Sequence, residues 1–331
     1  MRKPIIFMFS GQGSQYYQMG RELFEKHPVF KNTFLHLDGI VQDLIGHSIV
    51  EELYNENHRL QDPFQRTLFT HPAIFMVEYA LARVLLEEGI EPDYVLGTSL
   101  GEYTAAAVAA VLTPEEMLTC IIRQAQLVET FCIPGSMMAI LYNSRLFHEM
   151  PEIYQGSELA AIHFHSNFVI SGMKRTLREI ERQLIARNIV CQMLPISYAF
   201  HSSFMDPIEK EYKRILHSKG YKKPRIPLIS CVEGEIMEDF TAEDLWKVAR
   251  QPIQFKRALQ AVHQRCDEPI YLDLGPRGSL SNFIKHQQGP SSSLFAYPIM
   301  TPFAQEIHHI ENVKTIYHLN KRQEVRQEVY A

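Results

Sequence analysis

The residues best placed to do chemistry in this chain lie in the stretch GTSLG, residues 97–101. Ser99 stands midway between Gly97 and Gly101, after the apolar run Tyr94-Val95-Leu96 and before the alanine-rich TAAAVAAVL. A strand that turns abruptly into a helix strains its turn residue, and flanking glycines remove the side chains that would collide there. The alanine-rich sequence that follows favours helix. Ser99 then sits at a helix N-terminus, where free N–H groups and the helix dipole favour negative charge. The pattern predicts a nucleophilic serine, with the Leu100 N–H able to donate to an oxyanion. The bland alternative is an ordinary strand-to-helix turn that happens to carry the same five residues.

A serine hydroxyl is a weak nucleophile at neutral pH and needs a base within hydrogen-bond reach. Fifteen histidines compete for that role, so histidine content selects none. His163 and His165 alternate on one segment and His308-His309 are adjacent. Neither pair has a third ligand nearby in sequence, so no metal site is expected. The segment GQGSQ, residues 11–15, follows an apolar run but lacks the G-K-[ST] ending of a phosphate loop.

The elements that must position these residues follow from periodicity. The chain has 331 residues, 46% of them hydrophobic, enough for one large domain or a domain with an insertion. A net charge of -5 gives no sign of nucleic-acid binding. Five cysteines at 120, 132, 191, 231 and 266 form no C-x-x-C pair, as expected of reduced thiols in the cytoplasm. No apolar stretch reads as a membrane span, and the apolar run 4–9 is too short for a signal-peptide core.

PIIFMF (4–9) reads as a buried strand. Helical spacing follows at 19–24 and 30–44, and a long helix is expected over 71–88 with Pro72 near its start, where proline is tolerated. Thr113, Pro114 and Glu116 form a capping-box start for a helix over 113–132. The style then changes. A strand at 137–141, two strands in 160–171 joined at Ser166-Asn167, an amphipathic helix at 174–188 and a strand at 189–197 make a ferredoxin-like unit. PLISCV (227–232), a helix around 243–265 and IYLDLG (270–275) resume the α/β pattern. The fold class expected is an α/β-hydrolase-like large domain, residues 1–134 and 199–311, with an inserted ferredoxin-like α+β subdomain, 135–198, and a C-terminal tail, 312–331.

Four motifs in order, GQGSQ at 11–15, GTSLG at 97–101, YAFHS at 198–202 and DLGP at 273–276, resemble the malonyl-CoA:acyl-carrier-protein transacylase family. That family includes the acyltransferase domains of polyketide synthases. The resemblance runs over roughly residues 4–290. Within the family, the chain is most similar to stand-alone acyltransferase homologues of trans-acyltransferase polyketide pathways, one branch of which are acyl hydrolases. The resemblance implies a Ser-His dyad of Ser99 and His201, with a backbone carbonyl orienting the imidazole. It also implies an oxyanion hole from the N–H groups of Gln12 and Leu100. Thr98, Gln124, Tyr198 and Phe200 would line the acyl pocket.

The chain also departs from the family pattern. Transacylases hold the malonyl carboxylate with an arginine on the helix after the elbow, because a guanidinium makes two parallel bonds to a carboxylate. Here that helix reads IIRQAQLVE, and the family spacing puts Gln124 at the arginine position. At about 100° per residue, Met117, Ile121, Ala125, Val128 and Cys132 share one face, with Gln124 at its edge. Arg123 falls on the polar side with Thr119, Gln126 and Thr130. A helix shifted by one residue would instead return Arg123 to the pocket. Thr98 stands where the family usually has histidine. YAFH mixes the HAFH and YASH tetrads of malonyl and methylmalonyl enzymes, so the tetrad names no substrate.

With Gln124 inward the carboxylate loses its charged partner, a loss of roughly 2–5 kcal/mol, and neutral acyl groups are favoured. The expected function is therefore a serine acyl-enzyme hydrolase that removes acetyl or other neutral short acyl chains from acyl carrier protein thioesters, editing polyketide antibiotic assembly in the cytoplasm. Two alternatives stand beside it. One is an acyltransferase that moves malonyl or another acyl group from coenzyme A to carrier protein. The other is a weakly catalytic scaffold of the synthase. No resident cofactor or metal is expected, since the phosphopantetheine arm or coenzyme A enters as substrate. The expected partners are carrier protein domains, without nucleic acid or membrane, and the chain is expected to be a monomer.

Overall fold

The structure, a computed structural model, describes residues 2–288 and 295–328. Two sheets organise it. The larger contains β1 (Ile5–Phe9), β2 (Tyr94–Gly97), β7 (Leu228–Ser230), β8 (Glu235–Met237), β9 (Ile270–Asp273) and β10 (Phe295–Pro298) in the order β10-β9-β1-β2-β7-β8. Its pairs are parallel except for β7 with β8. A parallel sheet is covered by helices on both faces, so its strands read as unbroken apolar runs. All five residues of β1, IIFMF, are buried.

The smaller sheet contains β3 (Ser136–Ile140), β4 (Glu158–Phe164), β5 (Asn167–Gly172) and β6 (Cys191–Met193), antiparallel in the order β4-β5-β3-β6. With the Lys174–Ala186 helix behind it, this is the ferredoxin-like unit. Between β3 and β4 the chain makes only two short helical turns, Leu146–Glu149 and Pro151–Tyr154. Period-two alternation splits the faces of this sheet. Met138, Ile140, Phe168 and Ile170 join Leu177, Ile180 and Leu184 in a separate small core. Met137, Ala139, Val169 and Leu194 point the other way, toward the large domain.

Several expected elements shift. The long helix runs Thr67–Glu87 rather than 71–88, because Arg66 takes the N-cap, so Pro72 lies inside it. That helix reaches the length and apolarity of a membrane span, contrary to the sequence reading, but 78% of its apolar window is buried within the fold. The turn between β4 and β5 is His165-Ser166, and Asn167 already belongs to β5. The expected strand 189–197 shrinks to Cys191–Met193. The expected single helix 243–265 is two, Ala242–Arg250 and Phe255–His263, broken at Pro252. Residues 312–328 of the expected tail continue a helix, Glu306–Glu328, that buries Ile310, Val313 and Tyr317, and 329–331 lie outside the described residues.

The glycines that flank Ser99 are required by close approach. A Cβ on Gly97 would lie 2.3 Å from the Glu102 backbone, and one on Gly101 would lie 2.1 Å from the Phe9 carbonyl oxygen. The elbow is thus pressed against the end of β1 with no room for a methyl group. Gly101→Ala is expected to lower stability by several kcal/mol, because backbone rather than a movable side chain must yield. Chemical denaturation monitored by circular dichroism measures this, and an unshifted midpoint would contradict the packing.

Candidate active site

Ser99 has φ +54°, left-handed backbone that a residue with a Cβ adopts only at a cost. The turn is closed by Gly101 N–H donating to Thr98 O at 2.9 Å and by Thr98 N–H donating to Phe9 O at 3.0 Å. The Gly97–Gly101 elbow therefore lifts the Ser99 hydroxyl out of the sheet at the start of the Gly101–Val108 helix.

His201 follows β6 through an irregular segment and also has positive φ, +59°. Its main chain is pinned by N–H donation to Ala249 O at 3.0 Å. His201 Nδ1 lies 2.9 Å from the Gln251 carbonyl oxygen and Nε2 lies 2.8 Å from Ser99 Oγ. A carbonyl only accepts, so Nδ1 carries the proton and Nε2 offers its lone pair to the serine hydroxyl. Gln251 is available because Pro252 follows it. A residue before proline is pushed to extended backbone, and Gln251 has φ -91° and ψ 154°. The helix stops there, and its last carbonyl turns to the imidazole instead of to a helical N–H.

Burial holds the imidazolium pKa of His201 down to about 4, with the Gln251 carbonyl opposing and His163 adding to the depression. The ring is neutral and able to accept a proton throughout the neutral range. The unfolded chain's histidines titrate near ~6.5. Stability associated with the neutral ring is therefore present above that value and lost as pH falls from there toward the folded value. His71, held down to about 3, and His163, to about 4, are shifted the same way by burial. The acid limb of kcat/KM is expected near pH ~4 rather than ~6.5. A pH–rate profile with parallel circular dichroism checks this, and an inflection near ~6.5 in folded protein would contradict the burial of His201.

Two buried glutamates brace the pair. Glu78 accepts from Ser10 N–H (2.7 Å), Ser10 Oγ (3.0 Å) and Thr104 Oγ1 (3.0 Å), joining the residue between β1 and the 11–15 loop to the elbow helix. Glu102 accepts from Ser230 Oγ (2.7 Å), Cys231 N–H (3.0 Å) and Val232 N–H (3.0 Å), joining that helix to the end of β7. Burial raises the pKa of Glu102 to about 8 against these three bonds. Asp273, in the D-L-G-P turn, accepts from Gly275 N–H at 3.0 Å and Ser281 N–H at 2.8 Å. It thereby fixes the start of the Ser279–Gln288 helix, which brings Leu280 and Phe283 to the site.

Ser99 and His201 open onto a cavity of about 320 Å³ between the two sheets. Gln12, Leu100, Thr98, Gln124 and Phe200 all line it. Gly11 packs the 11–15 loop on the elbow, since a Cβ there would meet Ser99 Cβ at 2.7 Å. Among the described residues, neither the Gln12 nor the Leu100 backbone N–H donates to a protein acceptor. Tyr198 departs from expectation and is not among the cavity walls. Its backbone bridges Pro134. Gln124 is 2% exposed and donates from Nε2 to Tyr103 Oη at 2.7 Å. Arg123 is exposed and donates to Gln126 on its own helix.

Among the cavity residues to which the sequence assigns no role in the pocket are His71, His163 and Arg277. His163 was weighed only as a metal ligand. It bonds Asn167 at 2.8 Å and stacks on Phe283 at 4.4 Å. Arg277 is the only arginine or lysine in the cavity wall among the described residues. Its guanidinium lies over the Tyr16 ring at 5.1 Å and donates to Gln15 O at 3.4 Å. Both arginine and histidine depend on chain segments far apart in sequence, so no local pattern marks them.

An elbow serine bonded to a neutral histidine, with free N–H groups beside it, is an arrangement that can form and break acyl esters. The chain belongs to the family of acyl transferase domains, whose pattern matches residues 6–292. Its relatives include the polyketide biosynthesis acyltransferase homologue BaeD of Bacillus velezensis, 46% identical over 314 residues that cover 95% of this chain and 97% of BaeD. The homologue PksD of Bacillus subtilis is 44% identical over 316 residues, again covering 95% of this chain and 97% of PksD. Among solved structures, the acyltransferase domain from the second module of the salinomycin polyketide synthase superposes with a TM-score of 0.82 at 27% identity, covering 94% of this chain and 72% of that one.

Proposed function

We propose that this chain is a serine hydrolase for neutral acyl groups carried as thioesters on the phosphopantetheine arms of acyl carrier proteins, acting as an editing enzyme in cytoplasmic polyketide assembly. Ser99 Oγ attacks the thioester carbonyl while His201 Nε2 takes its proton. The N–H groups of Gln12 and Leu100 hold the oxyanion. The C–S bond breaks, and His201 returns the proton to the departing thiolate. Water, losing a proton to His201, then attacks the acyl-serine ester and releases the free acid and the serine hydroxyl.

The observation that carries this reading is Gln124, buried in the cavity wall where the family pattern has a carboxylate-binding arginine, with Arg123 turned to solvent. A neutral amide gives a malonyl carboxylate no opposite charge to compensate for leaving water. The names of BaeD and PksD, polyketide biosynthesis acyltransferase homologues, support the pathway. One feature favours a second reading, malonyl transfer from coenzyme A to carrier protein: Arg277 puts a cation in the same cavity.

Intact-protein mass spectrometry separates the two. Acetyl- and malonyl-loaded carrier proteins are offered to the enzyme, and malonyl-CoA with unloaded carrier protein is run in parallel. Fast loss of acetyl, slow loss of malonyl and no loading from malonyl-CoA are expected. Efficient malonyl loading that disappears in Arg277→Gln would replace the hydrolase reading with the transferase one.

A further inference from the structure

The acyl end of the cavity has a fixed hydrogen-bond polarity. Tyr212 is fully buried, and its hydroxyl meets only Tyr103 Oη, at 2.9 Å, among the described residues. Tyr103 Oη also lies 3.1 Å from the Leu245 carbonyl oxygen and 2.7 Å from Gln124 Nε2. A phenol has one proton and two lone pairs, and a carbonyl can only accept. The Tyr212 proton therefore goes to Tyr103, and the Tyr103 proton goes to Leu245. Both Tyr103 lone pairs are then filled, one by Tyr212 O–H and one by Gln124 N–H. An inverted Gln124 amide would set its oxygen against an atom with no proton left to give. The amide is locked, and what it leaves over is Oε1 as acceptor and the second Nε2 proton as donor. Among the described residues Oε1 has no protein partner, and it is not among the sealed, unpartnered atoms, while its residue lines the cavity.

We propose that Gln124 Oε1 is a substrate-binding acceptor that selects acyl chains bearing a hydroxyl group, and that Tyr103 is the positioning residue that fixes its direction. The inference rests on the reading that Ser99 takes up an acyl group, and it names the class of acyl group. A hydroxyl on the chain donates to Oε1. An unsubstituted chain leaves Oε1 dry and unpaired, and a carboxylate, acceptor only, has no proton to give Oε1. Hydroxyacyl thioesters are what ketone reduction on a carrier-bound chain produces, so a reductive step would supply this substrate.

The test reads acylation of Ser99 by single-turnover mass spectrometry, which is independent of whether water or carrier protein is the final acceptor. Butyryl and the 2-, 3- and 4-hydroxybutyryl thioesters of N-acetylcysteamine are compared. At least one hydroxybutyryl isomer is expected to acylate about three- to tenfold faster than butyryl. Gln124→Leu is expected to bring that ratio to parity, and Tyr103→Phe, which frees the amide to turn, to lower it. A melting curve for each variant confirms folding, and Tyr103→Phe decides if the leucine variant fails to fold. Butyryl acylation with no isomer ahead of it, or a preference that survives both substitutions, would overturn the inference alone. No acylation by any thioester would overturn the acyl-enzyme reading with it.

Discussion

Ser99→Ala is expected to reduce thioester turnover by about 10⁴-fold or more while leaving the fold intact. In serine–histidine enzymes, removing the nucleophile leaves only what binding and the oxyanion donors contribute. Ser99→Gly should do the same to activity and raise stability by about 1 kcal/mol, because glycine adopts the +54° φ without the strain a Cβ brings. The two readouts moving in opposite directions identify a backbone held strained for function. Mass spectrometry of acyl-enzyme formation and thermal denaturation measure both. A Ser99→Ala enzyme with more than about a hundredth of the parent activity would remove Ser99 from the reaction.

Gln124→Arg carries the second large effect. A guanidinium at this buried site supplies the bidentate partner that a malonyl carboxylate lacks. The ratio of malonyl to acetyl kcat/KM is expected to rise about 30-fold or more, the lower end of what a buried charge pair contributes. The same change removes the amide that donates to Tyr103, so melting temperature must be followed alongside. A well-folded variant with an unchanged ratio would show that position 124 does not meet the distal end of the acyl group. Arg277 would then be the residue to examine.

Legibility in the sequence followed the range of the interactions. The elbow is legible because its signature is local, glycines two residues on either side of Ser99, although of the contacts that force them only the 2.3 Å approach of Gly97 to Glu102 is local and the 2.1 Å approach of Gly101 is to Phe9 on β1. The capping box at Thr113 and Glu116 is likewise local. It set the register of the Pro114–Phe131 helix well enough for periodicity to place Gln124 inside and Arg123 outside. The buried glutamates were not anticipated. Glu78 interrupts the apolar run IFMVEYALA and Glu102 begins an alanine-rich helix, but their partners, Ser10 and Ser230, are 68 and 128 residues away. The helix break at Pro252 has a plain local signal, the proline itself, which the expectation of one helix over 243–265 passes over. Tyr198 was assigned to the pocket through the YAFH motif, yet its backbone bridge to Pro134 turns it elsewhere. Arg277 and His163 reach the cavity only when the two sheets close over it.

That same break at Pro252 bears on how the site can be inherited. Of the three groups aligned at Ser99, His201 and Gln251, two are side chains and the third is a peptide oxygen. No codon change at position 251 deletes a peptide oxygen. The side chain there is free to drift, whereas the path of the chain is not. The heritable determinant of the imidazole's orientation is thus displaced by one residue, onto a proline that is not among the cavity walls.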